Sequence, residues 1–262
     1  MVLMFLCREV LNRILKIMEN NKKITTKSIG LSYIEYQVIL LSFGINNLMC
    51  FEKDTTEYDS YTQQELYNYG LARLYNRKLV TDEDGSLFFA QEIASAFSVI
   101  SKCKKILVAD KINENICCMY LGEDEFVVFE PGIREDEYLK FSVKAIDDIT
   151  TYLEESLYIN NSDAIDDICE KAPLLPVEGD GIVKLMEVES VNIDELRRCD
   201  EVSSILTISD RVKTENQSYI VIVNQPIQDK ILLIDKEGNY TFQIYSRVML
   251  DNLIRKIVGE KE

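Results

Sequence analysis

Carboxylates are the residues of this chain that could most readily do chemistry. They gather in three local sets: Glu123-Asp124-Glu125, Glu135-Asp136-Glu137, and Asp163, Asp166, Asp167 and Glu170. Oxygen-rich sets can bind a hard cation, but a calcium loop alternates its ligands and carries a central glycine. None of the three does. Asp163, Asp166, Asp167 and Glu170 fall on one helical face, the pattern of a solvated surface. Two carboxylates can also divide acid and base roles, yet among 45 acidic residues such pairs arise by chance. Histidine is absent, which removes the commonest general base and zinc ligand and the usual partner of a nucleophilic serine or cysteine. No G-x-S-x-G, G-x-x-x-x-G-K-[ST] or G-x-G-x-x-G occurs. The expectation is a non-enzyme with no catalytic, metal or cofactor residues.

The seven cysteines are odd in number and form no C-x-x-C pair, so neither a zinc knuckle nor a disulfide framework is signalled. Cys117-Cys118 lies in an apolar run, where a strand would send the two thiols to opposite faces. All seven read as reduced core thiols. Tyrosine carries the stronger signal. Tyr58, Tyr61, Tyr67, Tyr69 and Tyr75 crowd one short region, more than one helical face can hold. Half-burial against the preceding loop, 50–61, accounts for such residues as well as an interface does, and interfaces favour tyrosine for its apolar ring and polar tip.

The element that must position those tyrosines runs from Tyr61 to Phe89. Thr62 and Glu65 form a capping box, Tyr67, Leu71 and Leu74 share a helix face, and Asn76 is placed to end the helix left-handed. Lys78–Thr81 and Ser86–Phe89 read as strands joined over Asp84-Gly85. Helix plus hairpin outlines a winged helix. Arg73, Arg77 and Lys78 are its candidate DNA contacts, but the wing tip is Asp82-Glu83-Asp84, where a DNA-binding wing would carry Lys or Arg. DNA binding is therefore not expected.

Upstream, Leu3, Cys7, Val10, Ile14 and Ile17 recur at helical spacing, giving a helix over 2–18 and not a secretion signal. Ser32 and Glu35 form a second capping box before a helix that Gly44 stops. A helix over 90–101 buries Ile93, Phe97 and Ile100. Four β-rich runs follow, at Lys105–Ala109, Ile116–Leu121, Phe126–Glu130 and Tyr138–Val143. A helix then carries Ile146, Ile149, Leu153 and Leu157. Residues 159–181, with Pro173, Pro176 and Gly179-Asp180-Gly181, form a connection. Beyond it, Ile182–Val188 reads as a strand and Asn192–Cys199 as a helix. Four more runs follow, at Ser204–Ile208, Tyr219–Val223, Ile231–Asp235 and Tyr240–Tyr245, before a helix bearing Leu250, Leu253, Ile254 and Ile257. Strand–helix–four strands–helix, repeated, predicts an α+β fold. Its central antiparallel sheet has flanking helices and two similar halves, 1–158 and 182–262, in a quasi-twofold arrangement and one structural unit.

Charge separates the halves. Residues 1–110 hold 13 basic and 13 acidic side chains, whereas residues 111–262 hold 16 and 32, the whole of the net −16. A surface that acidic repels phosphates and anionic lipid heads. No run reaches membrane-spanning length. The expectation is a cytoplasmic protein that binds neither nucleic acid nor membrane, with a protein as partner.

The order of parts resembles the EspG family of type VII secretion chaperones. The residues that carry the resemblance are Phe43-Gly44, Leu71 to Leu74, Arg77-Lys78-Leu79-Val80 and Asp84-Gly85, followed by the helix QEIASAFSVI. Lys78 stands where the family often has glycine, and the motif covers about residues 32–100. The resemblance implies two similar halves about a central antiparallel sheet. It also implies a cytoplasmic chaperone holding the tip of a secreted helical hairpin of the WXG100-related class. No family contact residue transfers by position. The loop 54–61 and the acidic turns instead nominate Tyr58, Tyr61, Glu123, Asp124, Glu125 and Glu135 as partner contacts. Two alternatives stay open: an acidic immunity or antitoxin-like protein that masks a basic toxin, and a winged-helix regulator, disfavoured by its wing. The oligomeric state is not legible.

Overall fold

Helix caps frame the first part of the fold. The computed structural model describes residues 28–45, 48, 51, 58, 60–111, 114–159, 193–200, 202–211, 217–223 and 229–259. The expected helix over 2–18, nearly all of the 159–181 connection and the expected strand Ile182–Val188 lie outside them. The class is α+β, and the described residues form an antiparallel sheet of nine strands, a two-stranded hairpin and six α-helices. The described chain divides into two compact units, 1–102 with 127–144, and 103–126 with 145–262.

In the first unit, β1 (Ile29–Leu31) leads directly into α1 (Tyr33–Ser42). Ser32 and Glu35 cap α1 reciprocally: the Ser32 N–H donates to Glu35 Oε2 at 2.8 Å, and the Glu35 N–H donates to Ser32 Oγ. After α1 the chain turns left-handed at Gly44, φ 66°. Helix α2 (Gln63–Asn76) opens on the Thr62–Glu65 box. Its end departs from expectation. Asn76 stays helical, and Lys78 is the left-handed residue, φ 58°. The Leu79 N–H donates to Leu74 O and the Lys78 N–H to Tyr75 O, both at 2.9 Å. This double bond pattern places apolar residues at both of its ends, here Leu74 and Leu79, and that register leaves Lys78 in the position glycine usually fills. The hairpin therefore starts later than expected, as β2 (Val80–Glu83) and β3 (Ser86–Phe89) around Asp84-Gly85. Both turn residues have positive φ, 54° and 78°, as a two-residue hairpin turn of the primed type requires. Helix α3 (Gln91–Lys102) buries Ile93, Phe97 and Ile100 as the spacing predicts.

Gly70 is the point where α1 and α2 meet. A methyl group there would lie 2.6 Å from Ile34 Cγ2 and 2.7 Å from Val38 Cγ2. Glycine in a helix costs about 1 kcal/mol against alanine, and close helix approach is the compensation. Beside these helices, β6 (Glu125–Pro131) and β7 (Leu139–Ala145) carry buried Val127, Val128, Phe129, Leu139 and Phe141. Strand β1 pairs antiparallel with β7, Ile29 opposite Phe141 and Leu31 opposite Leu139.

The second unit contains β4 (Lys105–Lys111), β5 (Glu114–Leu121), α4 (Ile149–Leu157), α5 (Ile193–Leu196), β8 (Val202–Asp210), β9 (Gln217–Val223), β10 (Lys230–Ile234), β11 (Tyr240–Ile244) and α6 (Arg247–Gly259). Ladders run β5-β4-β8-β9-β10-β11, so β4 and β8, the first strands of the two runs of four, pair with each other antiparallel. Leu196, Val202, Ile205, Val221, Val223, Leu232, Ile234 and Phe242 pack into one cluster. Each fully buried aliphatic side chain contributes about 1.5–3 kcal/mol. Helix α6 buries Leu250 and Ile254 and is tied to α4 by the Thr150–Asp251 hydrogen bond, while Tyr245, just before α6, donates its hydroxyl to Glu154.

Candidate functional site

The first unit holds a cavity of about 530 Å³ with five tyrosines in its wall: Tyr33, Tyr58, Tyr61, Tyr69 and Tyr138. Three segments, with Tyr58 and Tyr61 ahead of the second, build it. Ser32, Tyr33 and Ile34 come from the start of α1. Glu65, Leu66, Tyr69 and Arg73 lie along one side of α2, at spacings of one, three and four. Glu135 to Tyr138 come from the turn between β6 and β7. The short strand β1 accounts for the meeting of the first and third segments. The Tyr138 N–H donates to Leu31 O at 2.8 Å, which sets Tyr138 beside Tyr33.

The inner wall is a ring cluster. Tyr33 stacks on Tyr58, centroids 5.7 Å apart and planes 13° from parallel, and meets Tyr138 edge-on at 5.2 Å. Behind them, Tyr36 contacts Tyr138 and Phe129. Each such ring pair adds about 0.5–1.5 kcal/mol beyond its buried area. Two hydroxyls fix the rings further: Tyr36 donates to Leu48 O at 2.7 Å, and Tyr138 donates to Phe51 O. Tyr61 and Tyr69, by contrast, are 57% and 56% exposed.

Arg73 joins the wall to a buried ion cluster. Glu35 is fully buried, and Arg77 Nη1 reaches its Oε2 at 2.7 Å while Arg73 Nε stands 3.6 Å from Oε1. Arg77 also donates from Nη2 to Gly30 O at 2.7 Å. Two of the three basic residues that a winged helix would turn toward DNA are thus engaged with Glu35. Arg73 further lies 3.6 Å from Asp136. Burial works against its charge, but the Tyr69 hydroxyl, Glu35 and Asp136 more than offset this and hold the guanidinium above its usual range.

Of the six nominated contacts, Tyr58, Tyr61 and Glu135 line this cavity. Glu123 and Asp124 lie in the β5–β6 turn and Glu125 opens β6, all three within the second unit, where the Gly122 N–H donates to Glu125 O and the Ile146 N–H to Asp124 O. Burial, then the neighbouring Asp124 charge, raises the Glu125 carboxyl. Sequence reasoning named Tyr69 among the crowded tyrosines and Arg73 as a candidate DNA contact without nominating either for this site, and it missed Tyr33 and Tyr138 as site residues. The signal that could have joined them is the pairing of β1 with β7.

Among the described residues, no group of three or more His, Cys, Asp or Glu is arranged to hold a metal ion, and no helix is long and apolar enough to cross a membrane. Burial pushes the Cys103 thiol up to about 11, with Arg211 pulling the other way. A thiol so held is a weak nucleophile at neutral pH.

No protein-family model and no curated protein matches the chain. Among solved structures, the Mycobacterium tuberculosis type VII secretion system chaperone EspG5, in complex with a PE25-PPE41 dimer, aligns with a TM-score of 0.46. The identity is 8%, over 86% of this chain and 94% of that one. A putative lipoprotein from Clostridium difficile 630 aligns with a TM-score of 0.25 and 6% identity, over 69% of this chain and 92% of that one. The likeness is weak and lies at the level of the fold.

Proposed function

We propose that this chain is a non-enzymatic chaperone or adaptor, acting in the cytoplasm, that holds a segment of a protein partner in the tyrosine-lined cavity of its first unit. The observation that carries this reading is the cavity wall itself. Five tyrosines converge on about 530 Å³, and Tyr61 and Tyr69 present more than half their surface to solvent. Exposed, pre-positioned rings of this kind are what protein interfaces use as anchors. The partner class follows the family resemblance drawn from the sequence: a secreted helical hairpin related to the WXG100 class, from a type VII secretion system. A second reading, an acidic binder that masks a basic toxin, is favoured by the carboxylates Glu65, Glu135, Asp136 and Glu137 on the same cavity.

The test is co-purification from the native host with wild-type chain and with a Tyr61→Ala, Tyr69→Ala double variant. The expected result is one host protein that accompanies the wild type, is lost with the double variant, and aggregates when the chain is deleted. A partner retained by the double variant contradicts the site. A partner that stays soluble alone but is toxic to the deletion strain selects the second reading.

A further inference from the structure

We infer that the cavity takes a basic side chain, arginine or lysine, flanked by an aliphatic residue on the partner segment. This inference rests on the docking role proposed above and adds the chemistry of the occupant.

The first ground is charge. Among the described residues, the cavity wall carries Glu65, Glu135, Asp136 and Glu137 against one cation, Arg73. That cation already lies 3.6 Å from both Glu35 and Asp136. Arg134, in the same turn, stands 3.8 Å from Glu137 and is itself 79% exposed. Even with both arginines counted, carboxylates remain in excess, and Glu135 has no ion pair within the chain among the described residues. An anionic or phosphorylated segment would meet uncompensated repulsion here. A cation would relieve it.

The second ground is the rings. Tyrosine faces attract cations within about 6 Å of the centroid, and a guanidinium can stack on a ring while its N–H fork meets a carboxylate. Rings and carboxylates share this wall. The stacked and edge-on arrangement of Tyr33, Tyr58 and Tyr138 is fixed by their mutual contacts, so little side-chain freedom is lost on binding. The third ground is the turn itself. Ile133, two residues before Glu135, is 78% exposed, as suits an aliphatic neighbour of the bound cation.

The test uses the full chain and three acetylated, amidated pentapeptides. Their sequence is Ala-Leu-X-Leu-Ala with X as arginine, as citrulline (the same shape without the charge), or as norleucine. Backbone amide shifts are followed during titration. The arginine peptide is expected to move the amides of residues 33, 69 and 135–138, and to bind on the order of tenfold more tightly than the citrulline peptide, the range of a partly desolvated cation–ring contact. In a Glu135→Gln, Asp136→Asn variant that preference should fall to roughly twofold. Equal binding of arginine and citrulline peptides, or tighter binding of norleucine, overturns the inference. If that equal binding is lost on Tyr61→Ala, Tyr69→Ala, the docking reading survives it. No binding at the peptides' solubility limit, or shifts confined to other residues, also overturns the inference, while the co-purification experiment decides the docking role independently.

Discussion

The two units each hold a cavity, about 530 Å³ in the first and about 420 Å³ in the second, and they differ in how their charges are settled. In the second, Asp210 accepts Lys105 at 2.7 Å and lies 3.9 Å from Lys236. Lys105, Lys236 and Lys256 there face Asp210, Asp235 and Glu237, among aliphatic residues such as Ile208, Ile220, Leu253 and Ile257. Its charges balance within the chain. In the first, carboxylates outnumber the cation in the wall and rings replace the aliphatics. The contrast shows that net charge along the sequence does not locate the cavity whose charges are unbalanced. The more acidic part of the chain contains the balanced cavity. The unbalanced one forms where the turn Glu135-Asp136-Glu137 folds beside tyrosines from the part that is neutral overall.

The largest effect that would sharpen this contrast is expected at the buried carboxylate. Arg77→Met leaves Glu35, fully buried, with Arg73 as its one paired cation among the described residues, and should cost about 2–3 kcal/mol, somewhat below the full penalty for an orphaned buried charge. Lys105→Met leaves Asp210, which is 28% exposed, and should cost about 1 kcal/mol or less. Urea unfolding midpoints measure both. Equal losses would erase the distinction between the units. Next comes Gly70→Ala, expected to cost about 1–3 kcal/mol by forcing α1 and α2 apart. Gly44→Ala meets no atom within 4 Å and should cost about 1 kcal/mol through its positive φ alone. A Gly70→Ala variant as stable as wild type would deny the tight helix contact.

A smaller effect, opposite in sign between the units, is expected from two glutamates. The Thr62 N–H, then the Thr62 hydroxyl, hold the Glu65 carboxyl below its usual range. Its ionised form therefore favours the folded state above the unfolded pKa, and this stability is lost as pH falls through the folded value. Burial, then Asp124, raises the Glu125 carboxyl. The folded state keeps that proton more tightly, so stability falls as pH rises from the ordinary carboxylate range through the raised value. Glu65→Gln should thus destabilise at pH 7, whereas Glu125→Gln should stabilise, both differences fading near pH 3. Thermal midpoints of the two variants moving in the same direction at pH 7 would contradict this assignment.

Much of the frame was legible because its signals are local. Both capping boxes, the Asp84-Gly85 turn and the apolar stripe Ile93, Phe97 and Ile100 need only a few neighbouring residues, and the β-rich runs become strands with ends shifted by at most two residues. The expected helix over 192–199 shortens to Ile193–Leu196, followed by turns. What escaped depends on partners distant in sequence. Strand β1 is three residues long, too short for any periodicity, and it exists because β7 supplies its ladder. Without β1, nothing in the sequence joins Tyr33 to Tyr138. Asn76 was the reasonable left-handed residue by its type, and the Leu74–Leu79 register overrode it. Gly70 gave no sign of its role, since its neighbours Ile34 and Val38 are more than thirty residues away.

The central claim, that a protein partner docks at the tyrosine cavity, is tested most directly by a photo-reactive benzoylphenylalanine placed at Tyr61 and, as a control, at Tyr240. Both positions are exposed, 57% and 41%, one on each unit. Irradiation in the native host should yield from position 61 a single adduct, mapped by mass spectrometry to one segment of one protein, and none from position 240. Adducts from both positions, or from position 240 alone, would contradict it.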